Sequence, residues 1–115
     1  MNKYTELSDF EINKKVAECT LPSGDWHVIK RKKGNEIGCF ITGRFDPCNN
    51  PSDAMPIIIE HKICMAYDVF AEEHDGGSWV AQPAYGFSNE RVRSDNYYRA
   101  AMICFLMMKD AENEG

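Results

Sequence analysis

The sequence predicts an α+β domain in which three helices alternate with two β-hairpins, so that small antiparallel sheets pack with helices as in an α-β-α sandwich. Three observations predict this class. A capped helical segment lies near the start, two strand-like runs flank Gly34-Asn35, and an apolar helical segment lies near the end. The 115 residues, 43% of them hydrophobic, suffice for one core. We therefore expect residues 1–115 to form a single domain.

The first helix is expected from Asp9 to Cys19. Ser8 stands where it can cap this helix, and Glu11 follows three residues later, which is the spacing of a capping box. A partial apolar stripe supports the same interpretation and consists of Phe10, Ile12, Val16, Ala17 and Cys19. Pro22-Ser23-Gly24 is expected to end this region.

The first hairpin is expected to join Trp26–Lys33 to Glu36–Thr42 through Gly34-Asn35, because a two-residue loop that starts with glycine suits a type II′ turn. This loop fixes a register that pairs Lys33 with Glu36, Ile29 with Phe40 and Val28 with Ile41. Side chains alternate across a strand. The face that we expect to be buried carries Trp26, Val28, Ile37, Cys39 and Ile41.

The middle segment, Asn49–His61, contains two prolines and three consecutive isoleucines. With Asp53 as the cap, Pro56 falls in the first helical turn, where its missing N–H does no harm. The isoleucines alone also fit a strand, since periodicity does not separate the two for short apolar runs. The combination of cap and proline favours a helix.

The second half of the chain is expected to form a hairpin, a loop and a long helix. The hairpin joins Ile63–Ala71 to Ser78–Gln82 across a turn-forming stretch, and Pro83–Asn96 is expected to be a loop. The last helix is expected over Tyr97–Asp110, capped by Asp95 or Asn96. It has almost no polar face, which indicates that protein surrounds it on all sides.

Composition narrows the classes of function and location. The formal net charge of −5 disfavours non-specific binding to phosphate groups. The five cysteines are odd in number and scattered, which favours free thiols in a reducing cytoplasm. The N-terminus is polar, and no apolar run approaches the ~20 residues that a membrane span needs. We therefore expect a cytoplasmic protein with no signal peptide and no membrane partner.

Two groups of residues are candidate metal ligands, and each has a simpler explanation. Cys48, His61 and Cys64 lack the paired spacing of zinc sites, so two core thiols and a histidine at a helix end are the alternative. Glu72-Glu73-His74-Asp75 precedes two glycines, which favours a solvated turn. No nucleophile motif or phosphate-binding glycine loop is visible. We assign no catalytic, cofactor-binding or metal-binding residue and expect no cofactor.

A basic run suggests nucleic-acid contact. It consists of Lys30, Arg31, Lys32 and Lys33 in the first hairpin, with aromatic residues nearby. Alternation in a strand places only half of these side chains on one face. Lysines also protect an exposed edge strand from aggregation. With the acidic net charge, these points make nucleic acid the less favoured partner.

Aromatic and arginine side chains cluster in the segment before the last helix and at the first two positions of that helix. These types dominate protein interfaces. The candidate interaction surface consists of Tyr85, Phe87, Arg91, Arg93, Tyr97 and Tyr98. In the alternative interpretation the aromatics cover the core and the arginines pair with Glu90 and Asp95.

Three stretches of the chain resemble the bacteriophage NinX family. They are Met1-Asn2-Lys3-Tyr4 with Leu7–Lys14, the proline-bounded segment Asn49–Glu60, and Arg99–Met108. The chain departs from the family pattern at Met55, where an aromatic is expected, and at Tyr97-Tyr98. The resemblance implies an accessory protein of lambdoid phages and prophages, located in the bacterial host. It implies no activity and no site residues.

The leading functional hypothesis is therefore a non-enzymatic interaction module that binds a host or phage protein, with a homodimer left open. One alternative is a small enzyme or metal-binding protein that uses His27, His61 or His74 with acids such as Asp46 or Asp75. The other is a nucleic-acid-binding protein that uses Lys30–Lys33.

Overall fold

The structure, a computed structural model, describes residues 4–21, 28–33, 36–41, 45–84 and 91–113, with side chains included except at 28–41 and 113. In this part of the chain three α-helices and five strands follow one another in an α+β arrangement, as the sequence predicts. Outside it lie the predicted turn at Gly34-Asn35 and the side chains of Trp26, His27, Tyr85 and Phe87.

Helix α1 spans Asp9–Thr20 and confirms the predicted start and cap. The Ser8 hydroxyl oxygen accepts a hydrogen bond from the Glu11 backbone N–H at 3.2 Å, which satisfies one of the free N–H groups at the helix start. The buried face of the helix carries Ile12, Asn13, Val16 and Ala17. Ile12, Val16 and Ala17 belong to the apolar stripe expected from the sequence, whereas Phe10 is half-buried and Cys19 is exposed.

Strands β1 (Val28–Lys33) and β2 (Glu36–Ile41) pair antiparallel in a two-stranded sheet. The register pairs Val28 with Ile41, Ile29 with Phe40, and Lys33 with Glu36. This register is the predicted one, since a two-residue connection leaves no other pairing of the flanking residues. Strand β2 contacts α1.

Helix α2 spans Pro51–Glu60, and its cap differs from the prediction. Asn50, and not Asp53, is the N-cap, because its side-chain oxygen accepts the Ser52 N–H at 3.0 Å. Pro51 then takes the first helical position, where proline is well tolerated. Pro56 consequently lies inside the helix and not in its first turn. Asp53 instead accepts the backbone N–H of Asp46 at 2.9 Å.

Strands β3 (Ile63–Tyr67), β4 (Trp79–Pro83) and β5 (Val92–Ser94) form an antiparallel sheet in the order β3-β4-β5. Two predictions are wrong here. β3 ends at Tyr67 and not at Ala71, because Asp68 starts a turn. β5 occupies part of the segment predicted as a loop, where three residues are too few to show an alternating pattern.

Helix α3 spans Tyr97–Asn113, and Asn96 caps it by accepting the backbone N–H groups of Tyr98 at 2.9 Å and Arg99 at 3.2 Å. Residues 100–106 are all buried. The helix contacts all three strands of the β3-β4-β5 sheet and also α1 and α2. It is therefore the central element, as its lack of a polar face predicts, and each large apolar side chain buried there contributes about 1.5–3 kcal/mol.

Tyr4, near the N-terminus, packs against this core. Tyr4 is buried, and its hydroxyl donates a hydrogen bond to the Asp110 carboxylate near the end of α3. Among the described residues, none of the helices has the length and apolar character needed to cross a membrane.

Candidate functional site

Four aromatic side chains form a continuous row, which we call the aromatic row: Tyr67, Trp79, Tyr97 and Tyr98. Successive ring centroids are 4.9, 5.0 and 5.0 Å apart, and all three contacts are edge-to-face. Tyr67 and Trp79 are cross-strand partners in β3 and β4. Such contacts hold rings in fixed orientations. The row thus joins the end of the sheet rigidly to the start of α3.

The chain leaves the aromatic row at Tyr67 and enters a turn, Asp68–Ala71, that exposes two large apolar residues. We call it the apolar turn. Val69 is 72% exposed and Phe70 is 87% exposed, while the neighbouring Tyr67 is 57% exposed. Isolated apolar residues on a surface are ordinary, but a contiguous set of this kind marks a binding site or an aggregation hazard.

Backbone hydrogen bonds fix the apolar turn. The Asp68 side chain accepts the Phe70 N–H at 2.9 Å, and the Asp68 carbonyl accepts the Ala71 N–H at 3.2 Å. The Asp68 N–H donates to the Ser78 carbonyl at 2.8 Å. This is an aspartate turn of the kind that competes with strand structure. It explains why β3 stops here although the following Val69, Phe70 and Ala71 are apolar.

Arg93 on β5 holds the same turn in place through an ion pair and a hydrogen bond. Its guanidinium lies 2.9 Å from the Asp68 carboxylate and 3.4 Å from the Gly77 carbonyl oxygen. The backbone N–H of Phe70, and secondarily Arg93, lower the pKa of Asp68, because both stabilise the carboxylate form. Gly77 has a φ of +136°, and a Cβ there would lie 2.2 Å from the Ser94 carbonyl carbon. Only glycine allows this close approach to β5.

Acidic side chains flank the apolar turn on its C-terminal side. Glu72 caps a short 3₁₀ helix, Glu73–Asp75, whose last residue accepts the Glu72 N–H at 2.8 Å. His74 is exposed and lies 3.4 Å from both the Glu72 and the Asp75 carboxylates. The segment is thus a surface turn, which is the simpler of the two explanations offered for it.

The predicted interaction residues separate in the structure. Tyr97 and Tyr98 belong to the aromatic row and are half-buried against the core. Arg93 pairs with Asp68 and not with Asp95, and Arg91 is exposed. The structure therefore links Arg93, Tyr97 and Tyr98 to an apolar turn that the sequence did not single out, since Val69 and Phe70 look like a continuing strand. Tyr85 and Phe87 lie outside the described residues.

The basic run Lys30–Lys33 lies on β1, and its side chains are outside the described part of the chain. Nucleic-acid contact by Lys30, Arg31, Lys32 and Lys33 stays a prediction.

The candidate metal ligands do not gather. Cys48 is buried, Cys64 is exposed on β3, and the His61 ring packs 4.8 Å from the Phe105 ring. Among the described residues there is no group of three or more histidine, cysteine, aspartate or glutamate side chains that could hold an ion. Burial raises the pKa of Cys48 and of Cys104 to about 12. Both are therefore neutral thiols near pH 7, and only a thiolate is strongly nucleophilic.

A second polar assembly, which we call the polar hub, joins the starts of all three helices. Its members are Asp9, Asn13, Asp46, Cys48, Asn49, Asn96 and Arg99. The buried Asn13 amide donates to Asp46 at 2.6 Å and accepts the Cys48 N–H at 3.0 Å. Asn96 donates to the Cys48 carbonyl oxygen at 2.7 Å.

Asp9 links the same hub to α3. It accepts hydrogen bonds from Arg99 at 2.6 Å and from Asn49 at 3.2 Å. Carboxylates are favourable at helix starts, where the helix dipole is positive. No buried side-chain nitrogen or oxygen in the described part of the chain lacks a partner. The buried polar atoms of the hub are thus all hydrogen-bonded within the protein.

Comparison with known proteins supplies the family. The family model described as Bacteriophage P22, NinX matches residues 3–109, which include every element of the aromatic row and the polar hub. The chain belongs to the NinX family. No curated protein and no solved structure matches the chain.

The polar hub includes residues from all three stretches in which the sequence resembles the NinX family. The three stretches that resemble the family each contribute to it, through Asp9 and Asn13, through Asn49, and through Arg99. These stretches are distant in sequence, yet they meet in one network. In this chain, the polar hub therefore connects the three stretches that resemble the family.

Proposed function

We propose that this NinX-family protein is a phage accessory protein that acts by binding another protein of the phage or the host, in the host cytoplasm, without catalysing a reaction. The apolar turn is the contact site, and the aromatic row is the adjoining structure that connects this turn to the sheet and to α3. The observation that carries the proposal is the exposure of Val69 and Phe70 on a turn fixed by hydrogen bonds.

Two physical arguments support this role. Exposing large apolar side chains to water is unfavourable, so a solvent-facing pair of this kind has its best explanation in a partner that covers it. In addition, the hydrogen bonds of Asp68 and the Arg93 clamp hold the pair in place before binding. Such pre-organisation reduces the conformational entropy that is lost on association.

The proposal is tested by affinity purification of the tagged protein from phage-infected cells, followed by mass spectrometry. The test variant is Val69→Ser with Phe70→Ser. The matched control is Ile59→Ser, since Ile59 on α2 is also an exposed apolar residue, at 68%, but lies outside the turn. Both variants change side chains that contribute little to the core.

We expect a specific partner to be recovered with the wild-type protein and with Ile59→Ser, and to be lost with the double variant. Equal recovery with the double variant would exclude the apolar turn as the contact site. Failure to recover any specific protein from infected and uninfected cells would contradict the proposed function itself.

A further inference from the structure

We infer that the partner of the apolar turn is a protein that offers an apolar pocket bordered by lysine or arginine side chains. This inference rests on the proposed function and specifies the chemistry of the surface that is bound. It follows from the shape of the turn, the area that it exposes and the charges beside it.

The Phe70 side chain is 87% exposed, so nearly all of its ring is open to contact by a pocket on a partner. Tyr67, Val69 and Phe70 together expose on the order of 400 Å², given the size of such side chains. A specific protein–protein interface of standard size buries about 800 Å² per partner, which is more than these three side chains supply in a flat contact. Insertion of Phe70 into a pocket instead concentrates the binding energy in one well-buried residue, as hot spots do.

The charges beside the turn select the partner further. Glu72, Glu73 and Asp75 follow Phe70 within five residues, and the segment 68–78 contains no lysine or arginine. Asp68 pairs with Arg93 and also lies within reach of the charge of Arg91. Among the described residues, the exposed Glu72 and Glu73 form no ion pair with a lysine or arginine, and only His74 lies near Glu72, at 3.4 Å. A positively charged border on the partner would pair with them and would speed association.

The same negative charges disfavour binding of a second copy of this chain or of a nucleic acid at the apolar turn. In a two-fold contact centred on the apolar turn, the turn of one copy faces the turn of the other. Glu72 and Glu73 would then approach their own equivalents, which is repulsive. A nucleic acid would bring phosphates to the same carboxylates. A basic protein surface is the occupant that matches both the apolar and the acidic parts of the segment.

The test places the photoreactive residue benzoylphenylalanine at position 70 and cross-links the full-length protein in infected cells. The cross-linked peptide of the partner is then identified by mass spectrometry. The charge variant carries Glu72→Lys with Glu73→Lys on the same photoreactive chain. The matched control is Glu112→Lys, since Glu112 is an exposed carboxylate at the end of α3.

We expect one cross-linked protein whose contacted surface carries an excess of lysine and arginine. The Glu72→Lys, Glu73→Lys variant should reduce the yield at least fivefold, and Glu112→Lys should leave it unchanged. A partner surface without excess basic residues, or a yield unaffected by the charge variant, would overturn the inference but leave the proposed function standing. Cross-linking only to a second copy, only to nucleic acid or to nothing would overturn it as well.

Discussion

Asp68 determines the shape of the apolar turn through a single carboxylate. One oxygen accepts the Phe70 N–H at 2.9 Å, and the other receives the Arg93 guanidinium at 2.9 Å. These contacts lower the pKa of Asp68 from its ordinary value of 3.8. The carboxylate is therefore ionised throughout the neutral range, and the turn is held there in one conformation.

The pH dependence of the turn follows from this lowered pKa. The stabilisation is fully present above the ordinary pKa of 3.8 and is lost as the pH falls through the lower pKa of the folded state. We expect the amide NMR signal of Phe70 to stay constant from pH 7 to about pH 4 and to shift only in stronger acid. Amides of α3 in the same spectra report whether the core is still folded.

Asp68→Asn is the matched control, because asparagine keeps a side-chain oxygen for the Phe70 N–H but has no titrating group. Its Phe70 signal should not shift with the wild-type titration while the core remains folded. A wild-type shift centred above pH 5, or the same titration in the asparagine variant, would show that another group governs the turn.

At the scale of elements, α2 contains an unfavourable residue. Pro56 is exposed and lies inside the helix, where it has no N–H to donate to the carbonyl four residues earlier. Pro56→Ala should raise the free energy of unfolding by about 1–3 kcal/mol, because alanine restores the hydrogen bond. Chemical denaturation measures the change.

Pro51→Ala supplies the comparison for this prediction. Pro51 occupies the first helical position, where no hydrogen bond is missing, so its replacement should change the free energy of unfolding by less than ~0.5 kcal/mol. Stabilisation by Pro51→Ala that equals that of Pro56→Ala would contradict the account of α2. So would destabilisation by Pro56→Ala.

Several helices and strands were predicted correctly because their signals are local in the sequence. The serine cap of α1, the two-residue loop between β1 and β2, and the apolar length of α3 are local signals. They correctly predict the start of α1, the register of β1 and β2, and the presence of α3. Asn50-Pro51 offered the better start signal for α2 than Asp53, since both an asparagine cap and a proline at the first position are favoured.

The parts that the sequence did not predict depend on tertiary contacts. β5 has three residues, and pairing with β4 is what defines it as a strand. Val69 and Phe70 have the composition of a strand, and only the Asp68 turn places them in water. In the polar hub, Asn13 and Asp46 are 33 positions apart and Asp9 and Arg99 are 90 positions apart. Contacts over such distances in sequence follow no spacing pattern that could have predicted them.

At the scale of the whole molecule, the protein has a stable interior and a separate apolar projection. Helix α3 is enclosed by the sheet, α1 and α2, and the polar hub fixes the starts of the three helices. The apolar turn lies beyond this interior at the edge of the aromatic row. Val69 and Phe70 in this turn are exposed and do not belong to the hydrophobic core.

The free energy of unfolding of the Val69→Ser, Phe70→Ser variant tests this separation most directly. Ile103→Ala, which truncates a buried residue of α3, is the reference and should cost about 2–5 kcal/mol in chemical denaturation. The double serine variant should remain within ~0.5 kcal/mol of the wild-type protein, because its changes lie on the surface. A loss of ~2 kcal/mol or more in that variant would show that Val69 and Phe70 belong to the core and would contradict the account.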